Sequence, residues 1–317
     1  MNLPVSFIRL AKTTLVLVYL VIIAGSVVRA TGSGMGCPDW PRCFGHWIPP
    51  TDVKELPANY RTYFKVQEQA IEPFNAAKTW TEYGNRWVGA LLGIFMFIQL
   101  VFVFPHRKKQ ASLFKLSLAG LLLTGAEGVL GAFVVHTNLK TGVITLHMFL
   151  SLIILITQSS LLYQTRPAIQ KDPTKPFFKN LIILSLVLTT IQMLIGTQVR
   201  EGVDELLKNF DAGTRWDLLN HIGLRFLIHS VFAWCLAAFN IFLFILIVKN
   251  KSFYSLCRPI ALSLLCVLIL EMTAGAILKL YAIPAWIQPV HLLLATILFG
   301  LQWALVLRVR SLKTRQV

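Results

Sequence analysis

Long apolar runs separated by short basic or polar stretches organise this chain. Eight of them reach the roughly 20 residues that a helix needs to cross a bilayer. They lie near 12–31, 82–104, 112–135, 139–163, 178–199, 219–248, 255–281 and 286–308. The pattern predicts an all-α integral membrane protein with eight transmembrane helices. Arg9 and Lys12 precede the first run as they would in a signal peptide, but the run continues past Val28 into Arg29 without a small-x-small cleavage site. It therefore reads as a retained helix. The longest polar stretch, about 50 residues between the first two helices, leaves no room for a separate soluble domain.

Composition sharpens this reading. Residues of the AVILMFWYC set make up 56% of the 317 positions and charged residues only 14%, against roughly 45–50% and about 25% in soluble domains. Ordinary soluble enzymes, extracellular disulfide scaffolds and disordered regulators are thereby excluded. The net charge of +16 would suggest nucleic acid if it lay on one soluble face. Instead it sorts by side of the membrane. The N-terminus, the loops around Arg107–Lys115, Arg166–Lys179 and Lys249–Arg258, and the tail from Arg308 together hold 17 of the 30 Lys and Arg and one acid, Asp172. Basic loops stay in the cytoplasm, so both termini are expected there, with the loops at 32–81 and 200–218 outside. The charge is a topology feature, and nucleic-acid binding is not expected.

The chain also repeats itself. Adding 144 to a position in helices two to four carries Glu127 to Glu271, Gly131 to Gly275, Ala132 to Ala276 and His147 to His291, with Asn85 facing His229 in the register. Gly25-Ser-Val-Val-Arg29 repeats as Gly196-Thr-Gln-Val-Arg200 at an offset of 171, because the outer loops differ in length. Two duplicated four-helix bundles with pseudo-two-fold symmetry are expected, in parallel topology, spanning 1–165 and 176–317.

That repeat selects the candidate chemistry. His147, His229 and His291 lie in apolar runs near the outer ends of their helices. Intramembrane ionisable groups are costly and face the bundle interior; each histidine reads either as an interhelical hydrogen bonder or as an axial ligand to haem iron. Haem is favoured over a bare metal because no Asp, Glu or Cys companions stand at ligand spacing. His229 and His291 could clamp one iron from both faces. The related pair, Asn85 and His147, offers only one good ligand. His46, His106, His136 and His221 sit at surfaces, turns or a helix mouth and are weaker candidates.

Glu82 lies three residues before Asn85 on the same helical face, and reads either as a proton-handling carboxylate or as a helix N-terminal acid. Glu127 and Glu271 read as hydrogen-bonded across helices or as a proton path. Arg29, Arg86, Arg200 and Arg225 stand at outer helix ends, to pair with haem propionates or to snorkel toward headgroups. Cys37 and Cys43 share the outer loop, where an oxidising compartment permits a disulfide, structural or redox-active. Cys235, Cys257 and Cys266 have no paired spacing.

Gly25-Ser-Val-Val-Arg29-Ala-Thr-Gly-Ser-Gly, followed by Cys37-Pro-Asp-Trp-Pro-Arg-Cys43, resembles the first helix and outer loop of haem A synthases. Glu82-Tyr-Gly-Asn85-Arg86, Gly128-Val-Leu-Gly131 and the histidines of helices four, six and eight continue the likeness over essentially the whole chain. The resemblance implies oxidation of the C8 methyl group of haem O to a formyl group, through an alcohol, to give haem A for terminal cytochrome oxidases. It implies haem b held by His229 and His291 in the C-terminal half, haem O as substrate in the N-terminal half, and Glu82 as the residue important for catalysis. It also implies haem O synthase and an electron-transfer partner, in a bacterial inner membrane; a homo-oligomer stays open. The chain departs from the family where the usual first histidine is Asn85, where Ser230 replaces an arginine, and in a second outer loop without a cysteine pair. His147 is then the expected principal ligand of the substrate iron. From the residues alone, a b-type cytochrome relaying electrons and a haem-carrying membrane protein remain as alternatives.

Overall fold

The computed structural model describes residues 4–165, 176–207 and 221–311. Eight long helices follow one another: α1 (Val5–Ala30), α2 (Ala76–Val103), α3 (Ala111–His136), α4 (Thr141–Gln164), α5 (Pro176–Leu207), α6 (Leu224–Lys249), α7 (Lys251–Leu280) and α8 (Ile287–Ser311). All eight are long and apolar enough to cross a membrane, and the only extended pairings among the described residues are two isolated bridges. The protein is an all-α, multi-pass membrane protein. The basic positions Arg166, Lys171, Lys175, Lys313 and Arg315, the acid Asp172 and most of the loop at 200–218 lie outside the described residues.

Several helices run beyond their expected spans, α1 starting at Val5 rather than 12, and in two of them polar side chains account for the extension. The helix expected from 82 begins at Ala76, where Asn75 Oδ1 accepts the Lys78 N–H at 3.1 Å; such a cap starts a helix before its apolar run begins. α5 continues past the expected end at 199 to Leu207, and Arg200 and Asp204, one turn apart, pair at 2.8 Å on this polar extension. The helix expected from 219 starts at Leu224, after Gly223 adopts φ 59°, a left-handed conformation that glycine takes without steric cost.

The chain divides between Leu162 and Tyr163 into two compact units. In the first, α1 packs on α2 and α2 on α3. Gln158 of α4 closes the set by donating to Ala11 O of α1 and to Gln99 Oε1 of α2, each at 2.9 Å. Phe7, Ala11, Val103, Leu113 and Leu161 form a buried cluster where α1 starts. In the second unit α5 packs on α6 and α8, and α7 on α6 and α8. There Gln302 Nε2 of α8 lies 2.9 Å from Ser185 Oγ and Thr189 Oγ1 of α5 and 3.1 Å from Asn240 Oδ1 of α6. Lipid tails provide no hydrophobic drive between helices, so hydrogen bonds of this kind specify which helices meet.

The segment between α1 and α2 is more than a polar connection. Phe44 packs edge-on against Tyr60, Phe64 and Phe74, with ring centroids 5.4–6.4 Å apart. Cys37, Cys43, Leu56, Val66 and Ile71 complete a small core. Tyr60 Oη accepts the Phe74 N–H at 2.8 Å, and the Tyr83 hydroxyl donates to Trp47 O. In the capping box at Val53–Glu55, the Thr51 hydroxyl and the N–H groups of Thr51 and Asp52 converge on Glu55 and hold its carboxyl below the usual carboxylate range.

Candidate functional site

In the second unit, His229 of α6 and His291 of α8 face one another with ring centroids 6.5 Å apart and planes at 79°. A metal–imidazole bond of about 2.0 Å on each side, with the offset from each nitrogen to its ring centre, adds to about 6 Å. The two rings therefore stand at the separation that an iron between them requires. Both are backed by glycines on neighbouring helices. A Cβ at Gly196 of α5 would lie 3.2 Å from His229 Cε1, and one at Gly275 of α7 would lie 3.5 Å from His291 Cε1. Gln192 Nε2 fixes His229 by donating to its main-chain carbonyl at 3.0 Å and lying 3.1 Å from Nδ1. Glu271 Oε1 lies 3.1 Å from His291 Nδ1. Nothing in the sequence pattern singled out Gln192.

The first unit carries the related arrangement. A Cβ at Gly131 of α3 would sit 3.4 Å from His147 Cε1, and Glu127 Oε1 lies 3.3 Å from His147 Nδ1. Asn85 of α2 faces Gly25 of α1, whose Cβ would be 3.9 Å from Asn85 Oδ1. That oxygen is buried and has no hydrogen-bond partner among the described residues. Gly25, Gly131, Gly196 and Gly275 are thus the small residues at four related positions, three facing an imidazole and one an amide. No group of three or more His, Cys, Asp or Glu side chains comes together as a bare-metal site among the described residues.

Glu82 lies a turn nearer than Asn85 to the segment between α1 and α2, and Arg86 follows Asn85 directly. Glu82 is only 4% exposed. Its Oε1 accepts from Arg86 Nη2 at 2.6 Å and its Oε2 from the Cys37 N–H at 2.8 Å. Arg86 also donates to the carbonyls of Cys37 and Arg42, both at 2.9 Å, and of Asp39 at 2.6 Å. This guanidinium is spent on holding the Cys37–Cys43 loop, a use that spacing did not reveal. The loop itself is closed by the Cys37–Cys43 disulfide and contains a cis Trp40–Pro41 peptide bond. The Asp39 carboxylate accepts the N–H groups of Phe44 and Gly45 at 2.5 and 2.8 Å. Thr79 Oγ1 donates to Gly36 O at 2.9 Å. Gly36 is pressed so closely on α2 that a Cβ there would lie 2.5 Å from Lys78 O.

The remaining arginines are differently engaged. Arg200 pairs with Asp204, whereas Arg225 stands 3.7 Å from Glu205 and is half exposed; Arg29 occupies the last turn of α1. A cavity of about 1050 Å³ opens between α3 and α4 beneath Pro38, Asp39 and Trp40, with Phe133 and Phe149 in its wall. Its lining does not include Glu82, Asn85 or His147. Cys257 is buried in α7, and Cys235 and Cys266 are exposed on apolar helices.

A family model described as cytochrome oxidase assembly protein (COX15-CtaA) matches residues 9–303. The chain is 32% identical to a haem A synthase of Shewanella oneidensis over 189 residues, which is 59% of this chain and 54% of that protein. It is 31% identical to that of Nitrosomonas eutropha across 42% of the latter, so these alignments span about half the length of each relative. Against the haem A synthase of Flavobacterium johnsoniae the identity is 23%, over 90% of this chain and 92% of the other.

Proposed function

The chain belongs to the cytochrome oxidase assembly protein family, and on that premise we propose that it is a haem A synthase, oxidising the C8 methyl group of haem O to a formyl group through an alcohol. One observation carries this reading: glycine-backed ligand positions recur at related places in the two units, with two imidazoles at iron-spanning distance in one and a single imidazole in the other. Duplicated halves with different loads account for that difference, the N-terminal half taking substrate and the C-terminal half the resident cofactor.

His229 and His291 would hold haem b, which supplies one-electron transfer when bound. His147 would hold the iron of haem O. Asn85, a poor iron ligand, would add little to that hold. Glu82, fixed by Arg86 and the Cys37 N–H, would take protons released at the substrate edge as the methyl carbon is oxidised. Arg86 is committed to the loop, and Arg29, Arg200 and Arg225 would pair with haem propionates, Arg200 and Arg225 by exchanging Asp204 and Glu205 for the ligand. The excess of Lys and Arg in one set of loops supports cytoplasmic termini in a bacterial inner membrane. Haem O synthase would supply the substrate, water the oxygen atom of the alcohol, and a separate electron-transfer protein would accept the electrons.

Titration of the purified protein with haem O tests the site assignments. The His147→Ala variant should lose haem O affinity while keeping haem b, and His291→Ala should lose the low-spin haem b signal. Unchanged substrate affinity and turnover in His147→Ala would overturn the assignment.

A further inference from the structure

Glu127 and Glu271 are carboxylates placed where a bilayer makes them costly, and the roles assigned above leave them without a task. Each stands four residues before the glycine that backs a histidine, 127 before 131 and 271 before 275, and so on the same helical face. On that stripe the glycine makes room for the ring and the glutamate stands beside its Nδ1. The distances are 3.3 Å for Glu127 and His147 and 3.1 Å for Glu271 and His291. The other carboxylate oxygen, Oε2, is buried and unpartnered in both residues, and each Nδ1 lies close to its glutamate without meeting it in hydrogen-bond geometry, so a small rotation of either group completes the bond. The carboxylate stands beside Nδ1 within ion-pair distance in both rings, so Nε2 is the nitrogen of each ring left for a ligand. Gln192 plays a neutral part at His229, so the two iron-facing histidines of the second unit are supported unequally.

We propose that Glu127 and Glu271 are matched positioning residues, each taking the Nδ1–H of its histidine so that Nε2 presents its lone pair and donates more strongly to iron. This rests on the haem reading above. A carboxylate behind a ligating imidazole fixes its tautomer and ring orientation and raises its basicity, and loss of such a partner typically costs about 10–100-fold in metal affinity. A stronger donor favours the ferric state.

The test uses full-length protein carrying haem b. Glu271→Gln should move the ferric–ferrous equilibrium about tenfold toward ferrous iron, about 59 mV for a one-electron couple, with altered low-spin electron paramagnetic resonance g-values. Haem b affinity should fall by about 10–100-fold and recover in Glu271→Asp. Glu127→Gln should leave the haem b potential at its wild-type value while changing the spectrum of bound haem O. A haem-loaded Glu271→Gln protein with wild-type potential and g-values overturns the proposal, as does failure of Glu271→Asp to recover binding. Wild-type protein that takes up no haem would instead refute the haem reading itself, so the two failures are distinguishable.

Discussion

Glu82 Oε1 and Arg86 Nη2 meet at 2.6 Å, one helical turn apart, in a pair almost wholly removed from solvent. The pair ties α2 to the Cys37–Cys43 loop, because Glu82 also accepts the Cys37 N–H and Arg86 donates to three loop carbonyls. Removing one member leaves the other buried without its counter-charge, which is more damaging than the pair is stabilising. Glu82→Ala should therefore cost about 3 kcal/mol and expose the loop to protease, besides blocking formation of haem A. Thermal unfolding in detergent with limited proteolysis measures the first effect; wild-type loop protection would show that the pair is not the anchor.

The disulfide should act as a staple. Cys37 and Cys43 are both 0% exposed, whereas a thiol relay needs an accessible sulfur. The double Ser substitution should retain haem O conversion and lose about 2 kcal/mol of loop stability, the chain-entropy value for so short a ring. Turnover assays and melting of the double variant check this, and loss of turnover with an intact fold would favour the relay.

Axial asymmetry should be visible in ligand binding. Carbon monoxide should bind ferrous haem in the first unit, where Asn85 stands at the position related by the repeat to His229, and not haem b held by His229 and His291. Asn85→His should supply the missing imidazole and suppress the carbon monoxide difference spectrum of the substrate haem.

Most of the architecture was legible because a bilayer imposes it: all eight helices follow from apolar length, while their ends moved at α1 and α6 and where polar turns at Asn75–Lys78 and Arg200–Asp204 extended them. The histidines, and the glycines at 131 and 275, were legible through the 144-residue repeat. The contacts of Arg86 with main-chain carbonyls were not, since such bonds leave no residue pattern behind. Gln158 and Gln302 could have been found, because they too are 144 apart, but glutamines in apolar runs do not announce a partner. The small aromatic core around Phe44 was hidden by the overall polarity of its segment.

Those glutamines give another prediction. Interhelical hydrogen bonds in membranes average about 0.6 kcal/mol and reach about 1.7, and Gln302 has three close polar neighbours on α5 and α6. Gln302→Leu should cost about 1–2 kcal/mol in detergent-induced unfolding, with haem b retained at low denaturant. No measurable loss would mean that apolar packing alone holds α8 to α5.

Extracting haem from cells that produce this protein together with haem O synthase, and separating the pigments by chromatography, decides whether the protein changes the haem it holds. The account predicts the formyl product, haem A, with the hydroxylated intermediate accumulating when Glu82 is replaced. Haem O recovered unchanged from membranes whose protein holds spectrally intact haem b would contradict it, leaving an electron relay or a carrier in place of an enzyme.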